Sequence, residues 1–95
     1  MSVQPTMSPL DVKARVASLQ NSWMARYTRE AHEVSGLYQW VVFYYPQGSD
    51  QYRMVTGQHV AVDLSTNTLS VAQGGWLPQR IDADAVLEVH LKPCA

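Results

Sequence analysis

One stretch of nine residues, Leu37-Tyr-Gln-Trp-Val-Val-Phe-Tyr-Tyr45, most constrains how this chain can fold. It is rich in aromatic and β-branched side chains and lies between Gly36 and the turn sequence 46–50, a pattern that predicts a central strand. Because alternate residues of a strand face opposite ways, this strand has two apolar faces. One face holds Tyr38, Trp40, Val42 and Tyr44, and the other holds Leu37, Val41, Phe43 and Tyr45. Both apolar faces must be shielded from water, and a chain this short has few other residues to do so.

The length and charge of the chain limit its architecture and its partners. Ninety-five residues suit one hydrophobic core, so we predict a flexible arm over 1–7 and a single domain over 8–95. Seven basic and eight acidic residues give a net charge of -1. The basic residues are scattered, and Arg53 is the one cation on the first two predicted strands. This distribution argues against nucleic acid as the partner, because phosphate binding needs clustered Lys and Arg.

The N-terminal sequence and the cysteine content favour a cytoplasmic protein. The first residues have neither a basic segment nor an apolar core of the kind found in signal peptides. No apolar run approaches the roughly 18 residues that span a membrane, so no membrane partner is expected. Cys94 is the single cysteine, which excludes an intrachain disulfide and is consistent with a reducing compartment.

A helix is predicted from about residue 9 to about residue 35. Ser8 suits the N-cap, Pro9 suits the first helical position, and Asp11 lies where the helix dipole favours a negative charge. The apolar stripe consists of Val12, Val16, Leu19, Trp23, Tyr27, Ala31 and Val34. Such a helix would be about 40 Å long, more than the width of a domain this size. We therefore expect a bend near residues 21–22 or a projecting end.

The remainder of the chain predicts four or five antiparallel strands. Residues 51–56 form a hairpin with the first strand, with Tyr52, Met54 and Thr56 opposite Tyr44, Val42 and Trp40. Gly57 marks a bulge or bend, and strands 59–64 and 68–73 are joined by a turn in which Asn67 takes positive φ. Val60, Val62 and Leu64 are expected to point inward from the first of these strands. Residues 85–91 form the last strand, with Leu87, Val89 and Leu91 inward; a helix over 82–90 is the alternative. The predicted fold is α+β, one long N-terminal helix packed on a four- to five-stranded antiparallel meander.

The surplus apolar surface predicts a protein-interaction module that binds or modulates another macromolecule. Candidate interface residues are Tyr38, Trp40, Tyr44 and Tyr52 on one face, Phe43 on the other, and Trp76 in the loop after Gly75. If the helix covers one face, the other remains too apolar for water. We expect a homodimer, or another protein as partner, to cover it.

Two alternatives involve chemistry. A pocket between helix and sheet, lined by Trp23, Tyr27, Glu30, Trp40 and Tyr44, would bind a small molecule or use Glu30 as a general acid or base. His59, Asp63, Glu88 and His90 would gather at a metal only if their two strands were neighbours, and we expect them to be solvated instead. No nucleophile elbow, phosphate loop or Cys-x-x-Cys pair occurs. We therefore predict no enzyme activity, catalytic residue, cofactor or metal.

Overall fold

The computed structural model describes residues 5–29, 38–73 and 77–93, and the side chains within them except those of 23–29, Tyr38 and Pro93. The order of elements is helix α1 (Pro9–Arg29), β1 (Tyr38–Tyr44), β2 (Arg53–Gly57), β3 (His59–Asp63), β4 (Thr68–Ala72), β5 (Gln79–Asp82), a 3₁₀ turn (Ala83–Ala85) and β6 (Val86–Pro93). The α+β class is confirmed.

The strands form two three-stranded antiparallel sheets rather than one meander. The first sheet has the order β2-β1-β6 and the second has the order β3-β4-β5. The prediction of a single four- to five-stranded sheet is therefore wrong. Two strand pairings account for the difference: the last strand, β6, pairs with β1, and a short strand, β5, precedes it and pairs with β4. The predicted last strand over 85–91 is confirmed by β6, and the alternative of a helix over 82–90 is wrong, since only residues 83–85 of that range form a helical turn.

The chain passes from one sheet to the other at two corners. The first is Gly57, as the sequence predicts, where β2 ends and β3 follows after one residue. The Gln58 amide donates to the Ala72 carbonyl at 2.8 Å, which ties this corner to β4. The second corner is the 3₁₀ turn between β5 and β6. Corners of this kind are how strands switch between packed sheets.

The second corner is fastened to the β3–β4 turn by Asn67. Asn67 has φ 57°, the positive value that its sequence position predicts. Its side-chain amide donates to the carboxylates of Asp82 and Asp84, and its carbonyl accepts from the Ala83 amide at 2.9 Å. One turn residue thus holds the passage from β5 to β6 in place.

Helix α1 begins as predicted. The Asp11 amide donates to Ser8 Oγ at 3.1 Å, the bond of an N-cap. The helix is continuous to Arg29, and the predicted continuation to residue 35 lies outside the described residues. Arg15 Nε donates to the Val89 carbonyl at 3.1 Å, and the Met7 amide donates to the Val86 carbonyl at 2.8 Å. These bonds fix the N-terminal segment along β6.

One core joins the helix to both sheets. Its buried members are Val12, Val16, Trp40, Val42, Leu69, Val71, Ile81, Val86 and Val89. Burying a side chain of this size stabilises a fold by about 1.5–3 kcal/mol. The apolar stripe of α1 supplies two of these residues, and Leu19 packs against them. The helix therefore completes a core that lies between the sheets.

The register between β1 and β2 differs from the prediction by one residue. Tyr44 pairs with Arg53, Phe43 with Met54 and Val42 with Val55. A shift of one residue moves every side chain of a strand to the opposite face. Val55 consequently packs against the core, and Met54 points outward with Phe43. The observed register places the β-branched side chain of Val55 opposite Val42, where it packs against the core.

Two inward assignments also need correction. Leu87 was predicted to point inward, but the register of β6 shifts at this residue, so that Tyr44 pairs with Val86 and Phe43 with Glu88. Val86 and Val89 occupy the core instead. Leu64 was predicted to point inward from a strand, but β3 ends at Asp63 and Leu64 lies exposed in the turn.

We predict that Gly57→Ala destabilises the fold by about 1–3 kcal/mol, because a Cβ at this corner would lie 2.6 Å from Val71 Cγ1 and 2.7 Å from the Ala72 carbonyl oxygen. Urea denaturation of the variant measures the loss. Gly48→Ala is the control, since Gly48 has φ 77° but open space around it, so its cost is limited to the backbone, about 1–2 kcal/mol. A smaller loss for Gly57→Ala than for Gly48→Ala would contradict the close approach.

We predict that Ser65→Ala raises the pKa of Asp63. The Ser65 hydroxyl donates to Asp63 Oδ1 at 2.6 Å and the Ser65 amide donates at 2.9 Å, which together hold the pKa of that carboxyl below its ordinary 3.8. Because the pKa is lower in the folded state, these bonds stabilise the turn above pH 3.8 and the effect is lost as the pH falls through the lowered pKa. NMR titration of the Asp63 carboxyl carbon measures the change. Ser49→Ala, in another exposed turn, should leave it unchanged.

Candidate functional site

The outer face of the first sheet carries an exposed apolar and aromatic cluster. It consists of the side chains of Phe43, Tyr52, Met54, Leu87, Glu88 and His90, which we call the outer patch. Tyr52 and Met54 are each 58% exposed although both are large and apolar. β1 positions Phe43 at the centre, and β2 and β6 place their side chains on either side of it. Exposed apolar residues that form a contiguous cluster, rather than standing singly, are typical of binding surfaces.

Aromatic contacts hold the patch together. The Phe43 ring lies edge to face with Tyr52, with centroids 6.0 Å apart, and edge to face with His90, with centroids 6.2 Å apart. Such pairs are worth about 0.5–1.5 kcal/mol beyond the area they bury. His90 Nε2 lies 3.2 Å from Glu88 Oε2, two residues away on the same face of β6. Phe43 is therefore held in one orientation from both sides.

A hollow opens at the hairpin end of the patch. It has a volume of about 280 Å³ and is lined by Phe43, Tyr52, Leu87 and Glu88. The bulge at Leu87 creates it, because the extra residue in β6 brings both Leu87 and Glu88 to the same edge. Bulges redirect side chains in this way and occur often beside functional sites.

Val41 is a buried residue on the outer face of the first sheet. Val41 points outward with Phe43 and lies between Thr56 and His90 in the register. It is only 4% exposed and stands outside the main core. The first sheet therefore has one apolar face in the core and a second face on which Val41 is buried while Tyr52 and Met54 are exposed.

The predicted interface residues that the structure describes lie on two different faces of the first sheet. Trp40 is 5% exposed and belongs to the core. Tyr44 is half-buried on the same side, and its hydroxyl accepts from Gln79 Nε2 at 2.9 Å. Tyr52 and Phe43 come together on the outer face. Tyr38 lies in β1, but its side chain, like the whole of Trp76, lies outside the described part of the chain.

The structure bears differently on the predicted pocket and on the metal hypothesis. Glu30 and the side chains of Trp23 and Tyr27, which would line the predicted pocket, lie outside the described residues. The metal hypothesis needed β3 beside β6, but these strands belong to different sheets. Within residues 5–29, 38–73 and 77–93, no three metal-ligating side chains come together.

Sequence reasoning missed Met54, Leu87 and His90 as neighbours of Phe43. Met54 was placed opposite Val42, on the face of Trp40 and Tyr44, by the incorrect register, and Leu87 was assigned inward by a strand without a bulge. His90 was placed on an outward face, but the partner strand was unknown. The usable signal was the second apolar face of β1, which required apolar neighbours on both flanking strands.

Comparison of the chain with protein-family models, curated proteins and solved structures gave no match. Among the described residues, no helix combines the length and apolar character needed to cross a membrane.

We predict that Trp40→Ala and Tyr52→Ala differ sharply in stability, although the two residues were expected to share one face. Trp40→Ala removes a core side chain and should cost about 3–5 kcal/mol. Tyr52→Ala removes an exposed ring and should cost about 1 kcal/mol or less. Urea denaturation followed by far-ultraviolet circular dichroism at low protein concentration measures both. Equal losses would contradict the assignment of the two faces.

Proposed function

We propose that this chain is an intracellular protein-interaction module that forms a homodimer through the outer patch and acts by binding, rather than by catalysis. The observation that carries the proposal is the exposure of Tyr52 and Met54 beside Phe43 on one face of the sheet. Aromatic residues and Met are enriched at the centres of protein interfaces, where they provide large contact areas at limited entropic cost.

The composition of the patch supports a second copy as its occupant. Homodimer interfaces are more apolar than other protein surfaces, and a two-fold interface must be complementary to itself. The outer face of β6 carries one acidic residue, Glu88, and one basic residue, Lys92, on either side of His90. Two copies can therefore meet on this face with opposite charges in contact. A dimer would offer grooves at its edges for a further macromolecule.

Proposals of catalysis or a cofactor have no comparable support in the described part of the chain. The polar groups of the outer patch are Glu88, His90 and the Tyr52 hydroxyl. His90 and Glu88 pair with each other, and we find no nucleophile placed against them in the described residues. We therefore assign the patch a binding role.

We predict that Met54→Glu weakens the dimer more than about tenfold, because an isolated carboxylate loses its hydration when it is buried in an apolar contact. Size-exclusion chromatography with light scattering, over a dilution series in reducing buffer, measures the dissociation constant. The matched control is Leu10→Glu, which makes a comparable change at a 69% exposed position on α1, away from the patch. The control should dimerise like the unmodified chain.

Two outcomes would contradict this proposal. An unmodified chain that stays monomeric up to millimolar concentration would exclude the homodimer. A dimer that Leu10→Glu disrupts and Met54→Glu does not would move the interface away from the outer patch.

A further inference from the structure

The hollow in the outer patch has the chemistry of a cation site. Phe43 and Tyr52 form two of its walls, with their ring planes at 69°, and Leu87 and the Glu88 side chain form the others. We call this set of four residues the aromatic corner. Its volume of about 280 Å³ is ample for an alkylammonium group and its first methylenes.

Three features of the aromatic corner favour a cation over a neutral or anionic group. The faces of aromatic rings carry negative potential, which attracts ammonium and guanidinium groups. The Glu88 carboxylate adds a formal negative charge at the rim, where its side chain is 64% exposed. Leu87 offers apolar surface to the methylene stem of a long basic side chain. An anion would meet repulsion from the Glu88 carboxylate.

Lys92 is a basic residue on the same face of β6, but it cannot fill the corner of its own chain. Lys92 lies four positions after Glu88, which is about 13 Å along a strand at about 3.3 Å per residue. This span exceeds the length of a lysine side chain. Lys92 is exposed, and it forms no ion pair with the residues that the structure describes.

We infer that the aromatic corner binds the Lys92 ammonium group of a second copy of this chain. A two-fold axis that crosses the strands at His90 makes the two β6 strands antiparallel, and places Glu88 of each copy opposite Lys92 of the other. The contact then occurs twice in each dimer. This inference rests on the proposed homodimer and specifies the chemistry of its interface.

The decisive comparison is between Lys92→Met and Lys92→Arg, measured by sedimentation equilibrium of the full chain. Lys92→Met keeps the apolar stem but removes the charge, and should weaken the dimer about threefold to thirtyfold. Lys92→Arg keeps a cation and should change the dissociation constant less than Lys92→Met does. Lys13→Met is the control, since it removes an equal charge from an exposed position on α1.

A double-mutant cycle tests whether Lys92 and the corner touch. Tyr52→Leu removes an aromatic wall and leaves the site apolar, so Lys92→Met should have less effect in that background than in the unmodified chain. The same loss of coupling is expected with Glu88→Gln. Circular dichroism and urea denaturation of each variant confirm that its fold is intact.

The possible failures are distinguishable. A dimer that Met54→Glu disrupts and Lys92→Met leaves unchanged would overturn the role of the corner but retain the outer patch as the interface. Additive effects of Lys92→Met and Tyr52→Leu would overturn the direct contact. A monomeric unmodified chain would overturn the homodimer together with this inference.

Discussion

The close approach of the Gly57 backbone to Ala72 is the constraint on which the two-sheet arrangement depends. At this corner the chain leaves the first sheet and enters the second within one residue, and the Gln58 amide bonds to the Ala72 carbonyl. Any side chain at Gly57 would collide with that carbonyl oxygen. Because the chain turns so sharply between β2 and β3, the two sheets enclose one core. A chain of 95 residues thereby surrounds that core with six short strands.

The pairing of β1 with β2 then determines which surface remains exposed. With Val42 opposite Val55, the inner face of the first sheet is filled by β-branched residues and Trp40. Phe43 and Met54 are left on the outside. The first half of α1 is used elsewhere, since its Val12 and Val16 are buried in the core between the sheets and Arg15 is bonded to β6. The outer patch is therefore what remains apolar after the helix has been used to complete the core.

Local features of the sequence predicted their structures well, and pairings between distant residues did not. The Ser8 cap, the bend at Gly57 and the positive φ of Asn67 follow from properties of single residues and their neighbours, and all three occur. The split into two sheets depends on β6 returning to β1 across most of the chain, which no local pattern encodes. Strand β5 was missed because it has four residues with a single buried side chain, Ile81. The outer patch was hard to predict for the same reason, since its members come from three strands whose pairing is not encoded locally.

The bulge at Leu87 links this folding problem to function. In a regular strand that kept Val89 in the core, Leu87 would point inward and Val86 outward. The bulge lets both valines remain buried and directs Leu87 to the hollow beside Phe43 and Glu88. Keeping a large apolar side chain at the rim of an aromatic site, next to an exposed carboxylate, makes physical sense if another molecule covers it. The position of Leu87 is thus consistent with the proposal that the outer patch forms an interface.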